Sequence, residues 1–87
     1  SERMSDLLVE RNRGERAAAI MRDPLVAEAL EEIRTSYIES WSNSGPQDSD
    51  VRERAYHMLQ AHDAFVRHFQ SVLETGEMAA QQLDGAQ

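Results

Sequence analysis

Apolar residues recur at helical spacing through most of this chain, and no segment alternates polar and apolar residues over the length of a strand. The clearest pattern comprises Val26, Leu30, Ile33, Tyr37 and Trp41, which are three or four positions apart. Such spacing places all five side chains on one face of a helix. The pattern predicts an all-α protein whose second helix covers about residues 24–41.

A longer apolar stripe predicts a third helix over about residues 50–75. Asp50 and Glu53 have the spacing of a capping box at its start, and Ser49 is the alternative cap. Three rows of side chains make the stripe broader than the seam between two helices. The rows are Val51, Met58, Phe65 and Val72; then Ala55, His62 and Phe69; then Leu59, Val66 and Leu73.

Two glycines interrupt the helical patterns. Gly14 lies inside the first predicted helix, which covers about residues 4–21, and should weaken it by about 1 kcal/mol relative to alanine. Gly76 is predicted to end the third helix as its C′ residue, since glycine adopts the left-handed conformation of that position most readily. A short helical tail is then predicted over residues 77–83.

Turn-forming residues divide the chain into an N-terminal helical arm, residues 1–22, and an antiparallel helical hairpin, residues 23–84. Asp23 and Pro24 favour the N-cap and the first turn of the second helix. The polar stretch at residues 43–48 contains glycine and proline and predicts a tight turn. A short turn between two long helices makes them antiparallel neighbours.

The predicted hairpin leaves apolar side chains without cover. Phe69, Val72 and Leu73 run past the beginning of the second helix, so they need contact with Ile20 and Met21 of the first helix or with another subunit. We expect a homo-oligomer, either a dimer that forms a four-helix bundle or a ring; the alternative is a monomeric three-helix bundle. The predicted core and oligomer interface comprises Leu30, Ile33, Tyr37, Trp41, Met58, Leu59, Phe65, Phe69, Val72 and Leu73.

Charge is unevenly distributed over the 87 residues, whose net charge is -7. Residues 1–22 carry a small positive excess, whereas the rest of the chain is strongly acidic and should repel a phosphate backbone. Arg11, Arg13 and Arg16 are therefore the candidate nucleic-acid contacts, and any DNA contact is expected to be weak or indirect. In the alternative interpretation, these arginines pair with neighbouring glutamates on a solvated helix face.

Catalytic and cofactor motifs are missing from the sequence. It has no cysteine, no glycine-rich phosphate loop and no E-x-x-H pair, so we expect no enzyme activity, no cofactor and no metal. Glu28, Glu31 and Glu32 are interpreted as a solvated face. His62 lies in a core row. It is predicted to be partly buried and hydrogen-bonded across an interface, and it is the candidate pH-sensitive residue. Without a spanning segment or a signal peptide, we expect a cytoplasmic protein without membrane contact.

The spacing of several residues resembles the small terminase subunits of tailed phages and phage-derived particles. The resemblance covers about residues 20–83 and concerns the hairpin. It is carried by Asp23-Pro24-Leu25, Trp41, Pro46, Asp48, Arg52-Glu53, Tyr56-His57-Met58-Leu59 and Leu73-Glu74-Thr75-Gly76.

This resemblance implies a non-catalytic, ring-forming DNA-packaging adaptor that holds or presents DNA and regulates a large terminase subunit, which carries the ATPase and nuclease. Members of that class have an N-terminal DNA-binding domain, but residues 1–22 are too short for a helix-turn-helix. A second hypothesis from another class is a small acidic phage or bacterial inhibitor that docks a host protein through a helix face. A metal-storage bundle is the third.

Overall fold

A computed structural model describes residues 1–85 and contains three helices. Helix α1 spans Glu2–Arg22, α2 spans Pro24–Ser42 and α3 spans Ser49–Gly85. Strands do not occur within these 85 residues. The prediction of an all-α protein is therefore confirmed, and the bounds of α2 agree with the predicted helix to within one residue.

The chain forms two compact units that divide α3 between them. The first, here called the terminal unit, combines Ser1–Asp23 with the chain from Arg67 onward. The second, here called the hairpin unit, comprises Pro24–Val66. The break between α1 and α2 coincides with a unit boundary, because Pro24 is the first residue of α2 and of the hairpin unit.

Gly76 lies inside α3, which continues to Gly85, so the prediction that Gly76 ends the helix is wrong. No glycine of the described chain has a positive φ. Gly76 is instead a point of close backbone approach in the terminal unit. A Cβ atom on Gly76 would lie 2.7 Å from the Cα atom of Gly14 and 2.9 Å from the carbonyl oxygen of Glu10. Both glycines are buried, and their missing side chains let α1 and α3 meet.

The terminal unit buries a small apolar core on both sides of this glycine contact. Leu7 of α1 packs in a buried cluster with Ala79 and Leu83 of α3. Nearby, the guanidinium of Arg3 donates a hydrogen bond of 2.7 Å to the side-chain carbonyl of Gln82. Since low numbers on α1 meet high numbers on α3, the two segments are antiparallel. The first helix thus packs on residues that were predicted to form a short separate tail.

The hairpin unit is also antiparallel, as the sequence predicts. Residues near the end of α2, such as Ser40, share a surface depression with Val51 near the start of α3. Farther from the turn, the His62 ring lies 2.9 Å from the backbone carbonyl oxygen of Leu30. Burial is slight in this unit, because Ala55 is its one buried apolar residue and α2 contains no buried residue.

The connection between α2 and α3 is held by hydrogen bonds around Gly45. The Asp48 carboxylate accepts from the backbone N–H of Gly45 at 2.9 Å, and the Asp48 N–H donates to the Gly45 carbonyl at 3.0 Å. The Arg52 guanidinium donates to the same carbonyl. Because α3 begins at Ser49, Asp48 occupies the position before the helix and Asp50 lies in the first turn. The predicted cap at Asp50 or Ser49 is therefore wrong.

Candidate functional site: an exposed apolar groove

An apolar groove runs between the two helices of the hairpin unit. The α2 residues that line it are spaced by three and four positions, as are those of α3, so each helix contributes one continuous face. The lining contains no aspartate, glutamate, lysine or arginine. The groove is lined by Leu30, Ile33, Tyr37, Met58, Ala61, His62 and Phe65.

Several predicted core residues of the hairpin unit are exposed in the single chain. Phe65 is 56% exposed and Trp41 is 52% exposed, while Ile33 and Met58 are also exposed. The single chain does not bury Trp41 and Phe65, because two helices share only one interface and no third helix of the hairpin unit covers this face. Their burial between subunits stays a prediction. Tyr37, Leu30 and Leu59 are half-buried. Their assignment to an interface between subunits stays a prediction.

The other predicted interface residues are covered by α1 in the terminal unit. Phe69 and Val72 line a cleft together with Ile20 of α1, and both are half-buried. Leu73 lines a neighbouring depression with Ala18 of α1. The sequence predicts that these residues contact either the first helix or another subunit. In the structure, α1 of the same chain contacts them.

His62 of α3 contacts α2 through one ring nitrogen and its own neighbour Asp63 through the other. Nε2 lies 2.9 Å from the Leu30 carbonyl oxygen, and Nδ1 lies 3.3 Å from Oδ1 of Asp63. Both partners are hydrogen-bond acceptors, because one is a carbonyl and the other a carboxylate. The His62 ring is therefore hydrogen-bonded to α2 within one chain. A hydrogen bond across a subunit interface and the pH sensitivity of His62 stay predictions.

Asp63 lies between the side chains of His62 and Arg34, beside the groove. Its Oδ1 atom faces the His62 ring and also accepts a hydrogen bond of 3.4 Å from Nε of Arg34. The hydrogen bond from His62, together with the charge and hydrogen bond of Arg34, lowers the pKa of the Asp63 carboxyl below its usual value, although desolvation acts in the opposite direction. Arg34 and Asp63 thus place one charge of each sign beside the apolar lining.

The three predicted nucleic-acid contacts are not equivalent in the structure. Nε of Arg11 lies 4.0 Å from a carboxylate oxygen of Glu15, so Arg11 follows the alternative interpretation of a paired, solvated residue. Arg13 and Arg16 instead line one cleft of the terminal unit together with His68 of α3. The sequence gives no signal for His68, because its proximity to the arginines depends on how α1 packs against α3.

Other candidate chemistry is not brought together in the described chain. Within residues 1–85, no three histidine, aspartate or glutamate side chains are grouped so that they could hold a metal ion. The exposed His57 ring lies 3.7 Å from Glu53 one helical turn away, which is a common surface pair. None of the helices in this part of the chain is both long and apolar enough to span a membrane.

Comparison of the chain with protein families, with curated proteins and with solved structures gives no match.

Proposed function

We propose that the protein is a non-catalytic helical adaptor that self-associates through the groove of the hairpin unit. The observation that carries this proposal is the exposure of large apolar side chains on that face. Phe65, Ile33 and Met58 line the groove and are all exposed, and α2 buries no residue in the single chain. Burial of such side chains is worth about 1.5–3 kcal/mol each, so covering the face would add substantially to the stability of a small unit.

The charge pattern favours a second copy as the occupant of the groove. Its lining is almost uncharged, so two copies meet there without strong repulsion even though the net charge of each chain is -7. Arg34 and Asp63 at the groove edge are opposite in sign and partly exposed. A two-fold axis through the groove would bring the same patch of both copies together. Arg34 of each copy could then pair with Asp63 of the other. Two paired hairpins would make a four-helix bundle.

The finer proposal is a DNA-packaging adaptor of the small terminase type. It is supported by the resemblance of the hairpin sequence together with the exposed face, which a ring or a dimer would cover. In this role the protein would present DNA to, and regulate, a large terminase subunit that carries the ATPase and nuclease. A large terminase from a tailed phage should then hydrolyse ATP at a different rate when this protein is added, and an unchanged rate would speak against this role.

Self-association can be tested by light scattering after size exclusion and by native mass spectrometry over a range of protein concentrations. We expect the measured mass to be that of two or more subunits. Ile33→Glu should give monomers, because it places a charge in the groove. Leu25→Glu is the matched control, since Leu25 lies on the same helix, is 72% exposed and is not a groove residue.

Two results would contradict the proposal. One is a wild-type protein that stays monomeric at every concentration, and the other is a Leu25→Glu variant that dissociates as fully as Ile33→Glu. A strict monomer would favour the alternative function, a small acidic module that docks a host protein.

A further inference from the structure

The terminal unit contains a cleft with a concentration of positive charge that is unusual for this acidic chain. Arg13 and Arg16 are three positions apart on α1, so they are neighbours on one helix face. His68 of α3 lines the same cleft. No ion pair to Arg13 or Arg16 is found among residues 1–85, in contrast to Arg11, which lies beside Glu15.

The surroundings of these three side chains also suit an anion. The cleft offers about 190 Å³ and has an apolar floor that includes Phe69 and Val72. A single water occupies roughly 30 Å³, so a tetrahedral oxyanion fits there with part of its hydration. An adjoining depression shares Arg13 and His68 and adds the hydroxyl residues Ser71 and Thr75. Such hydroxyls are common donors to phosphate oxygens.

We infer that the Arg13–Arg16–His68 cleft binds a phosphate group. Arginine presents several N–H donors in a planar fork that matches the oxygens of phosphate, and two arginines on one face can share the anion. Glu10 also lines the adjoining depression and is the one acidic residue there, so it limits how far the anion extends toward Thr75. This inference deepens the proposed adaptor function, but it concerns a different unit from the groove and has its own readout.

Two phosphate sources are distinguished by two probes, inorganic tripolyphosphate and a short DNA duplex of arbitrary sequence. Binding is followed by amide chemical-shift changes in NMR titrations at fixed salt concentration. We expect saturable shifts at His68, Ser71 and Val72. Saturation by the duplex alone assigns the phosphate to a nucleic-acid backbone, whereas saturation by tripolyphosphate alone assigns it to a small phosphate compound. No saturable shift at these residues with either probe would overturn the inference.

Arginine variants separate this cleft from general electrostatic attraction. Arg16→Gln should weaken binding of the active probe about ten-fold, which corresponds to roughly 1.4 kcal/mol, and Arg16→Lys should restore part of the loss. Arg11→Gln removes the same charge from the same helix and should have much less effect. Equal weakening by Arg11→Gln and Arg16→Gln would overturn the inference. The mass of each variant is measured in parallel, so that failure of phosphate binding is distinguished from failure of self-association.

Discussion

The backbones of α1 and α3 approach each other at Gly14 and Gly76, where a Cβ atom on either residue would lie 2.7 Å from the Cα atom of the other. Neighbouring backbone atoms lie almost as close, since the same Cβ atom on Gly14 would be 3.3 Å from the Val72 carbonyl oxygen. Backbone cannot move aside as a flexible side chain can, so the helices must separate to admit even a methyl group.

Gly76→Ala should therefore destabilise the protein even though alanine is the better helix former. We expect the free energy of unfolding to fall by about 1–3 kcal/mol, the usual cost of overpacking. Gly85→Ala is the control, because no atom lies within 4 Å of the Cβ position at Gly85 and no clash arises. Urea denaturation followed by circular dichroism measures both. An increase in stability with Gly76→Ala, as helix propensity alone predicts, would contradict the contact.

Leu7 and Leu8 offer a matched test of the terminal unit's core. They are adjacent on α1, but Leu7 is 6% exposed and Leu8 is 43% exposed. Leu7→Ala should lower the free energy of unfolding by about 2–4 kcal/mol, because it opens a cavity against Ala79 and Leu83. Leu8→Ala should cost less than half as much in the same denaturation experiment. Equal costs would show that α1 does not pack through Leu7.

Phe65→Ala tests the groove through its dependence on protein concentration. A buried phenylalanine would cost about 3–5 kcal/mol when truncated, but Phe65 is exposed in the single chain. In dilute solution we therefore expect a loss below about 1 kcal/mol. At concentrations that allow association the loss should increase, because the wild type gains stability from its partner and the variant does not. Thermal melts over a concentration series measure this difference.

Phe69→Ala is the control for that series. Phe69 is half-buried and shares a cleft with Ile20 of the same chain. Its truncation should lower the melting temperature by an amount that does not depend on concentration. A concentration-independent loss for Phe65→Ala as well would argue against an interface in the groove.

Asp63→Asn should change how stability depends on pH. The folded-state pKa of Asp63 lies below its ordinary value of 3.8, so the carboxylate stabilises the fold above that pH and loses this contribution as the pH falls through the lowered pKa. The variant should therefore be less stable than wild type at neutral pH, and the gap should narrow in acid below the ordinary pKa. Thermal melts in a pH series provide the measurement, and a gap that stays constant in acid would contradict the role of Asp63.

The sequence predicts the helices well because their signals are local. Pro24 and the polar turn at residues 43–48 interrupt strong helical patterns, and the structure places its helix ends close to both. The role of Gly76 does not follow from the sequence, because a glycine at the end of an apolar stripe can serve two structural purposes. It can reverse the backbone at a C′ position, or it can admit a second backbone, and only the position of Gly14 in space distinguishes them.

The candidate sites were less predictable because they depend on packing between distant segments. The apolar pattern identifies Phe65 and Phe69 equally as core residues, yet α1 contacts lie at Phe69 and leave Phe65 exposed. The arginine cluster of the first helix was visible as charge in the sequence. Arg11 pairs with Glu15, whereas Arg13 and Arg16 line a cleft against α3. This difference can be recognised only once the position of α3 is known.

The lack of any buried residue in α2 has a consequence for its backbone. Helices with few buried contacts open locally at low free-energy cost, and their amide protons then exchange with solvent. Deuterium uptake in the isolated chain should thus be faster across α2 than around Leu7 and Ala79. When a second copy occupies the groove, the amides of α2 should exchange as slowly as those around Leu7 and Ala79. The stability of α2 against local opening would then depend on the assembly.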